Sequence, residues 1–519
     1  MHEHQPTEST HRSGTVTLTG APLTLDLLDS IYEHQLTVSI DACVWQRIDG
    51  SRTVLDRIAA GDDLVYGVNT GFGPLCRKRI GRNDLNTLQE NLVRSHAVGV
   101  GPPAPDAIVR WMLLFKIHAL GLGHSGVRRE TVQRLADMLN DDMLPVVPQQ
   151  GSLGASGDLA PLAHMVLPLI GNGLVRLNGR ECPAPDAFTE CNLQPIRLGA
   201  KEGLALINGT QFMSAYAAAL VVRGIRAAKH ADIIGALSLE ALRGAGKPFE
   251  ARLHELRPHP GAIETAANFR AMLAESEIMP SHANCDRVQD PYSLRCIPQV
   301  HGATRDALRH AAVVVETEIN AVTDNPVIFD DGTVISGGLF HGQPLALVLD
   351  YLAFALAELA GIAERRIYLL LSGHDNLPSL LMQDTGLNSG FMLPQYTAAA
   401  LVNENKTLAW PASVDSIPTS LGQEDHVSMG ATSATKAWRV MDNVETVLAI
   451  EQMCAAQALD YRAPLKPGLG PRAAHEVIRQ AIPHAEHDRL FGQDIQTSLA
   501  LLRSQKILSA VQDKTGPLK

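Results

Sequence analysis

Residues 345–371 read LALVLDYLAFALAELAGIAERRIYLLL, a run in which apolar side chains fall on nearly every face and only Asp350, Glu358, Glu364, Arg365 and Arg366 carry charge. A segment this long without strand-like alternation reads as helix, and a helix apolar all round belongs inside a bundle. Working outward, residues 106–120 (DAIVRWMLLFKIHAL) repeat the pattern behind a Pro-rich start. The alanine runs at 217–219 and 398–400 let helices approach closely, and an aromatic content of 4% suits small-residue helix packing better than a β-sandwich. The fold class expected is therefore all-α. Strand signals are local: a hairpin over 174–182 turning at Asn178 and Gly179, and another over 327–335 turning at Asp331 and Gly332.

Composition narrows the function. The chain has 519 residues, 45% hydrophobic and 19% charged, which excludes disorder, collagen and coiled coil. A net charge of −11 and the lack of any basic run argue against a nucleic-acid partner. Seven cysteines, Cys43, Cys76, Cys182, Cys191, Cys285, Cys296 and Cys454, are odd in number and contain no C-x-x-C, so they read as reduced thiols. The amino terminus, MHEHQPTESTHRSG, has no apolar signal core, and a cytoplasmic location is expected. Residues 203–222 carry no formal charge and are long enough to cross a bilayer. Asn208, Gly209, Thr210 and Gln211 lie at the centre of that stretch, so it reads as a buried helix of a protein outside the membrane.

Several motifs fail on inspection. GAGK at 244–247 lacks the phosphate-loop residues at both ends, where Ala241 and Pro248 stand. Gly71 and Gly73 have neither a preceding strand nor a third glycine, which leaves a tight loop. H-E-x-x-H is absent, and His484 and His487 sit in a polar, helix-like stretch, so no metal site is expected. Two polar, Gly-rich segments between apolar helices remain, residues 66–74 (YGVNTGFGP) and 148–158 (PQQGSLGASGD). In the second, the amide nitrogen of Gly157 can reach the carbonyl carbon of Ala155 if the loop is compressed, because glycine has no Cβ to clash. Loss of two waters, one of them carrying off the Ser156 hydroxyl, leaves a conjugated electrophile built from the backbone itself. Taken alone, such a segment is more often a plain turn.

Several ordered segments carry a resemblance: YGVNTGFG at 66–73, SHAVGVG at 95–101, GSLGASGDLAPLAHM at 151–165, EGLALINGTQ at 202–211, QDPYSLRC at 289–296, TDNPVIF at 323–329, FHGQP at 340–344, NENKTLA at 403–409 and ASVDSIPTSLGQEDHVSMG at 412–430. With these the chain resembles the aromatic amino acid ammonia-lyases, and among them the histidine-type enzymes, from about residue 60 to the carboxyl end. The resemblance implies a long helical bundle with a mixed N-terminal domain and minor hairpins. It divides the chain into a polar tail at 1–15, an N-terminal domain at 16–222 carrying the Ala-Ser-Gly loop, and a C-terminal bundle at 223–519. It further implies that Ala155, Ser156 and Gly157 become 4-methylidene-imidazol-5-one (MIO) with no external cofactor, and that the enzyme is a homotetramer whose sites gather residues from more than one subunit.

By the same resemblance Tyr66 is the catalytic base, and Arg295 forks onto the substrate carboxylate, a geometry that suits guanidinium. Asn208, Gln289 and Tyr292 hold the prosthetic group and substrate by hydrogen bonds, with Tyr292 counted among the catalytic residues. Phe340 lines the pocket, His96 meets the substrate ring, and Glu424 accepts an imidazole N–H or moves a proton. If the segment after Pro291 is helical, three-residue spacing brings Gln289, Tyr292 and Arg295 to one side. Ser95 and QEDHVSM at 423–429 look histidine-type, so the reaction expected is L-histidine to trans-urocanate and ammonia. Leu339, His301, Trp410, Ile297 and FMLPQY at 391–396 depart from that pattern, as packing changes or as a reshaped pocket. Tyrosine or phenylalanine ammonia-lyase and aromatic 2,3-aminomutase chemistry stay open as alternatives, as does attack on the electrophile by amine or by ring.

Overall fold

A computed structural model describes residues 13–32, 34–61, 64–73, 80–81, 84–283 and 288–519. Residues 1–12, Pro74, Cys76 and Cys285 of the sequence reading lie outside these. The chain divides into two compact units. The first comprises Met1–Ala219, Ala312–Leu349 and Pro411–Thr435, and the second Leu220–Ala311, Asp350–Trp410 and Lys436–Lys519. The cut expected at 222/223 lies close to the first of these boundaries, after which the chain returns twice to the first unit. Local patterning carries no information about such returns.

Four long helices, Gln211–Ala241, Ile297–Ile319, Gln343–Leu371 and Gly430–Asp460, dominate, and the sheets are small. Helix Asp106–Gly121 is buried along almost its whole length, as its all-round apolar pattern requires. Helix Gln343–Leu371 is long and apolar enough to cross a membrane, and its most apolar window is 61% buried within the protein. Both expected hairpins form. Leu174–Leu177 pairs antiparallel with Arg180–Pro183 through Asn178 and Gly179, both at positive φ as a tight hairpin turn requires, and Val327–Ile328 pairs with Val334–Ile335. At the amino end Ser13–Leu18 pairs in parallel with Gln35–Ile40. The alternation of the first of these strands buries Val16 and Leu18.

One expectation fails in an informative way. Residues 203–222 are not one helix but parts of two, Glu202–Ile207 and Gln211–Ala241, separated at Asn208, Gly209 and Thr210. Asn208 is extended (φ −85°, ψ 132°) and Gly209 has φ +131°, so the chain turns out of the helix and back within three residues. Residues 482–490 are likewise not helical, and His484 there is no solvated surface group. Its Nδ1 lies 2.5 Å from Asp460 Oδ2, because a loop folded back on the helix end can bring imidazole to carboxylate.

The second unit contains a layer of buried ions. Arg366 binds Glu451 through Nε and Nη2 at 2.5 and 2.8 Å, and neither residue has any exposure. Asp232 receives His301 at 2.8 Å, Arg305 at 2.6 Å and Asn268 at 2.8 Å. Despite the burial that opposes ionisation, Arg305 and His301 hold the Asp232 carboxyl below the ordinary carboxylate range. His301 is thus a packing change tied into this layer. Ile297 is fully buried and Phe391 packs on Phe491, whereas Leu339, Trp410 and Tyr396 are exposed. The five described cysteines, Cys43, Cys182, Cys191, Cys296 and Cys454, are unpaired.

Candidate active site

The loop 151–158 runs between strand Pro148–Gln150 and helix Leu159–Val166 and is gripped from three directions within the first unit. Gly154 O accepts Ser428 Oγ at 2.9 Å and Gly342 N at 3.3 Å, and Leu153 O accepts Met429 N at 2.8 Å. Asn208, freed by the helix break, donates Nδ2 to Ser156 O at 2.7 Å, and Asp158 N donates to Gly209 O at 2.7 Å. Gly157 has φ +73° and lies so near the break that a Cβ there would stand 2.0 Å from Gly209 O. Only glycine fits, and its backbone is pressed against its neighbours.

The Ser156 hydroxyl donates to Glu424 Oε1 at 2.9 Å, across 268 residues of sequence. Glu424 is presented by a tight turn in which Thr419 N donates to Glu424 O at 2.9 Å and Thr419 Oγ1 to Glu424 Oε2 at 3.1 Å. His96, at the end of helix Leu85–His96, feels the Glu424 charge; burial nevertheless leaves its pKa below the usual histidine value. Its Nδ1 is 3.0 Å from Ser95 Oγ. Tyr66 begins the turn that ends at Gly73, whose N–H donates to the Tyr66 hydroxyl at 3.3 Å, and a Cβ on Gly73 would stand 3.5 Å from Ser420 Oγ in the Glu424 turn. Phe340, half-buried, precedes His341, whose ring stacks on His426 at 5.9 Å.

Of the residues expected from sequence, Tyr66, His96, Ala155, Ser156, Gly157, Asn208, Phe340 and Glu424 all belong to the first unit. Gln289, Tyr292 and Arg295 belong to the second. There Tyr292–Arg295 is a single helical turn, Tyr292 is 70% exposed, and the Arg295 guanidinium lies over the Tyr292 ring at 4.6 Å. Gln289 is exposed ahead of that turn. Spacing of three does bring Arg295 onto Tyr292, as a helical segment would.

Sequence reasoning missed the support of the loop. Asp158 is fully buried, and its Oδ2 accepts Met213 N at 3.0 Å at the start of helix Gln211–Ala241, while Oδ1 has no partner. Burial pushes its carboxyl up to about 7. Ser428, within QEDHVSM, holds Gly154. Lys116 is the one Lys, Arg, Asp or Glu in the apolar stretch that follows Arg110, an incongruity visible in the sequence.

The residues present fit an imidazolone made from the loop. The nucleophilic nitrogen belongs to a glycine in a cradle that a Cβ would overfill, the Ser156 carbonyl has an amide donor, and the departing hydroxyl has a carboxylate.

Comparison with known proteins agrees. Residues 23–480 match the family described as aromatic amino acid lyase. The chain is 48% identical over 503 residues to the histidine ammonia-lyase of Myxococcus xanthus, covering 96% of this chain and 99% of that one. To the histidine ammonia-lyase of Gloeobacter violaceus it is 51% identical over 504 residues, covering 96% and 98%. Among solved structures, the histidine ammonia-lyase of Trypanosoma cruzi matches with a TM-score of 0.90 at 42% identity, covering 97% of this chain and 96% of that one. The tyrosine aminomutase of Streptomyces globisporus matches at 0.92 and 37%, covering 98% and 100%. With identity near one half along nearly the full length of both chains, and a family match spanning the loop and its supports, this chain belongs to the aromatic amino acid lyase family.

Proposed function

We propose that this enzyme cleaves the carbon–nitrogen bond of L-histidine, releasing ammonia and trans-urocanate. The observation that carries the reading is the setting of Ser156, with its hydroxyl on Glu424, its carbonyl under the Asn208 amide and the following glycine pressed on Gly209. The MIO group that Ala155, Ser156 and Gly157 would form supplies an electron-poor methylidene carbon, which no unmodified side chain offers.

The chain's own groups handle the rest. Asn208 polarises the carbonyl of residue 156 and keeps the loop in register. Tyr66 takes the β-proton; a phenol with an ordinary pKa near 10 needs donors to act as a base near neutrality, and the Gly73 N–H is one. Arg295 grips the substrate carboxylate, with Gln289 and Tyr292 beside it, and its guanidinium is already oriented on the Tyr292 ring. Glu424 accepts the imidazole N–H of the substrate, and His96, kept neutral by burial, meets the ring. Phe340 closes the apolar side. The names of the relatives at about half identity favour histidine over other aryl amino acids.

The test is a panel of histidine, tyrosine and phenylalanine with ultraviolet detection of the unsaturated acids. The fastest rate is expected on histidine, and a faster rate on tyrosine overturns the substrate while sparing the reaction class. The structural likeness to a tyrosine aminomutase favours one second reading, in which ammonia returns to the β-carbon. A β-amino acid among the products would decide for it.

A homotetramer in the cytoplasm belongs to the same proposal. Helix Gln343–Leu371 leaves Leu347, Tyr351, Phe354 and Tyr368 exposed, a series of apolar side chains of the kind that a subunit contact covers. Light scattering should report four chains, and a catalytically active monomer would refute the assembly.

A further inference from the structure

The first unit holds an ammonium group that the reaction does not use. Lys116 is the only Lys, Arg, Asp or Glu between Arg110 and Arg128, and it is 1% exposed. Its Nζ donates to Asn208 O at 2.9 Å and to Ala205 O at 3.2 Å. In an unbroken helix those carbonyls would accept from the N–H groups of residues 212 and 209, four positions on. The break at Asn208 removes those donors and leaves two buried acceptors at the carboxyl end of helix Glu202–Ile207. A cation is the favoured occupant of that position, because helix carbonyls and the helix dipole both attract it. Asp158 does the converse job at Met213 N, where the next helix begins. Burial pushes the Lys116 ammonium down to about 7, opposed by Asp324 and Asp158 and reinforced by Lys201.

Lys116 therefore acts on the main chain of the residue whose side chain touches the loop. Asn208 receives the ammonium on its carbonyl and gives its amide to Ser156 O at 2.7 Å. We propose that Lys116 is a positioning residue for prosthetic-group formation: by capping the broken helix it holds the Asn208 amide on the Ser156 carbonyl, and so sets how fast Ala155, Ser156 and Gly157 dehydrate. In that reaction Gly157 N bonds to the Ala155 carbonyl carbon. The Ala155 oxygen leaves as water with the amide protons of Gly157 and Ser156, giving a C=N bond. The Ser156 hydroxyl leaves with the Ser156 α-proton as a second water, giving the exocyclic C=C bond. No oxidant or reductant is required. The inference rests on the reading of the loop given above.

The experiment follows intact mass after a pulse of synthesis in the full-length chain. The unsubstituted protein should become lighter by two waters; if it keeps its encoded mass, the reading of the loop itself fails, apart from any role of Lys116. Lys116→Met, recovered folded by circular dichroism, should dehydrate at least about tenfold more slowly, the scale expected for losing a charge-assisted hydrogen bond. Equal rates in folded Lys116→Met overturn the inference. Because a looser core could also slow the reaction, the specific readout is coupling through Asn208. Asn208→Ala alone should slow dehydration, and adding Lys116→Met to it should cost nothing further. A multiplied loss in the double variant overturns the route through Asn208. If Lys116→Met does not fold, Lys116→Gln, whose amide can still reach one carbonyl, replaces it. Slower dehydration is expected there too, and an unchanged rate in folded Lys116→Gln overturns the inference equally.

Discussion

Each unit buries charge, and the groups beside the loop differ from the ion layer of the second unit. In the second, Arg366 and Glu451 face each other with two hydrogen bonds, and Asp232 is shared by His301, Arg305 and Asn268. In the first, Lys201 pairs with Asp324 at 2.7 Å, whereas beside the loop Lys116 and Asp158 face the backbone, one on carbonyls and the other on an amide, and Asp158 keeps an unpartnered oxygen. Ions that neutralise each other lock helices together. Ions that bind only backbone dipoles stabilise a local distortion, and here the distortion is the helix break that presents Asn208 to Ser156. At the loop, the incompletely partnered groups lie where chemistry is prepared.

That contrast predicts which substitutions separate activity from stability. The largest effect is expected from Ser156→Ala, which removes the source of the methylidene carbon: no measurable turnover, a mass equal to its own encoded value with no loss of two waters, and a stability change within about 1 kcal/mol for the lost hydroxyl contact. Intact mass and urea unfolding read both quantities, and appreciable turnover would break the contrast at its active end. Tyr66→Phe should keep the dehydrated mass and lower kcat by about 10² to 10⁴-fold, the usual range for a lost general base, as measured by steady-state kinetics. Glu451→Ala does the opposite. It strands Arg366 and should cost about 3–5 kcal/mol in unfolding experiments, while the folded fraction is still dehydrated.

The smallest expected effect is a pH slope of opposite sign in the two units. Burial holds the Asp158 carboxyl up to about 7, so the folded protein binds that proton more tightly than the unfolded chain. Its stabilising contribution is complete below the ordinary carboxylate pKa and is lost as pH rises through about 7. Asp460 is the reverse: although burial opposes it, His475, Arg479 and His484 hold its carboxyl down to about 2. Its contribution is present above the ordinary carboxylate pKa and fades as pH falls toward about 2. Urea unfolding across pH should therefore show Asp158→Asn flattening the decline between acid and neutral pH, and Asp460→Asn flattening the loss in acid. Identical slopes in the two variants would show that the two sites are not opposed.

Much of this is legible in the amino-acid sequence. Residues 345–371 must be helix because no other element buries so many consecutive apolar side chains, and 174–182 must turn at Asn178 and Gly179. The loop 151–158 stood out through Ala155, Ser156 and Gly157. The helix break did not, because residues 203–222 are apolar enough to run straight through and nothing local forbids it. The groups that cap the break stand far away in sequence: Lys116, 92 residues before Asn208, and Asp158, 55 residues before Met213. The same distance hid the partnership of Ser156 with Glu424.

By itself, then, the sequence determined the periodic elements, the tripeptide able to cyclise and the family, since these depend on side-chain order over short spans. Only the tertiary structure decided where the long apolar helix stops, which carbonyl Asn208 meets and which carboxylate receives the Ser156 hydroxyl. Those contacts join residues that the chain brings together only on folding. Their energies, the burial of a charge and the loss of a helical hydrogen bond, exist only once water has been excluded.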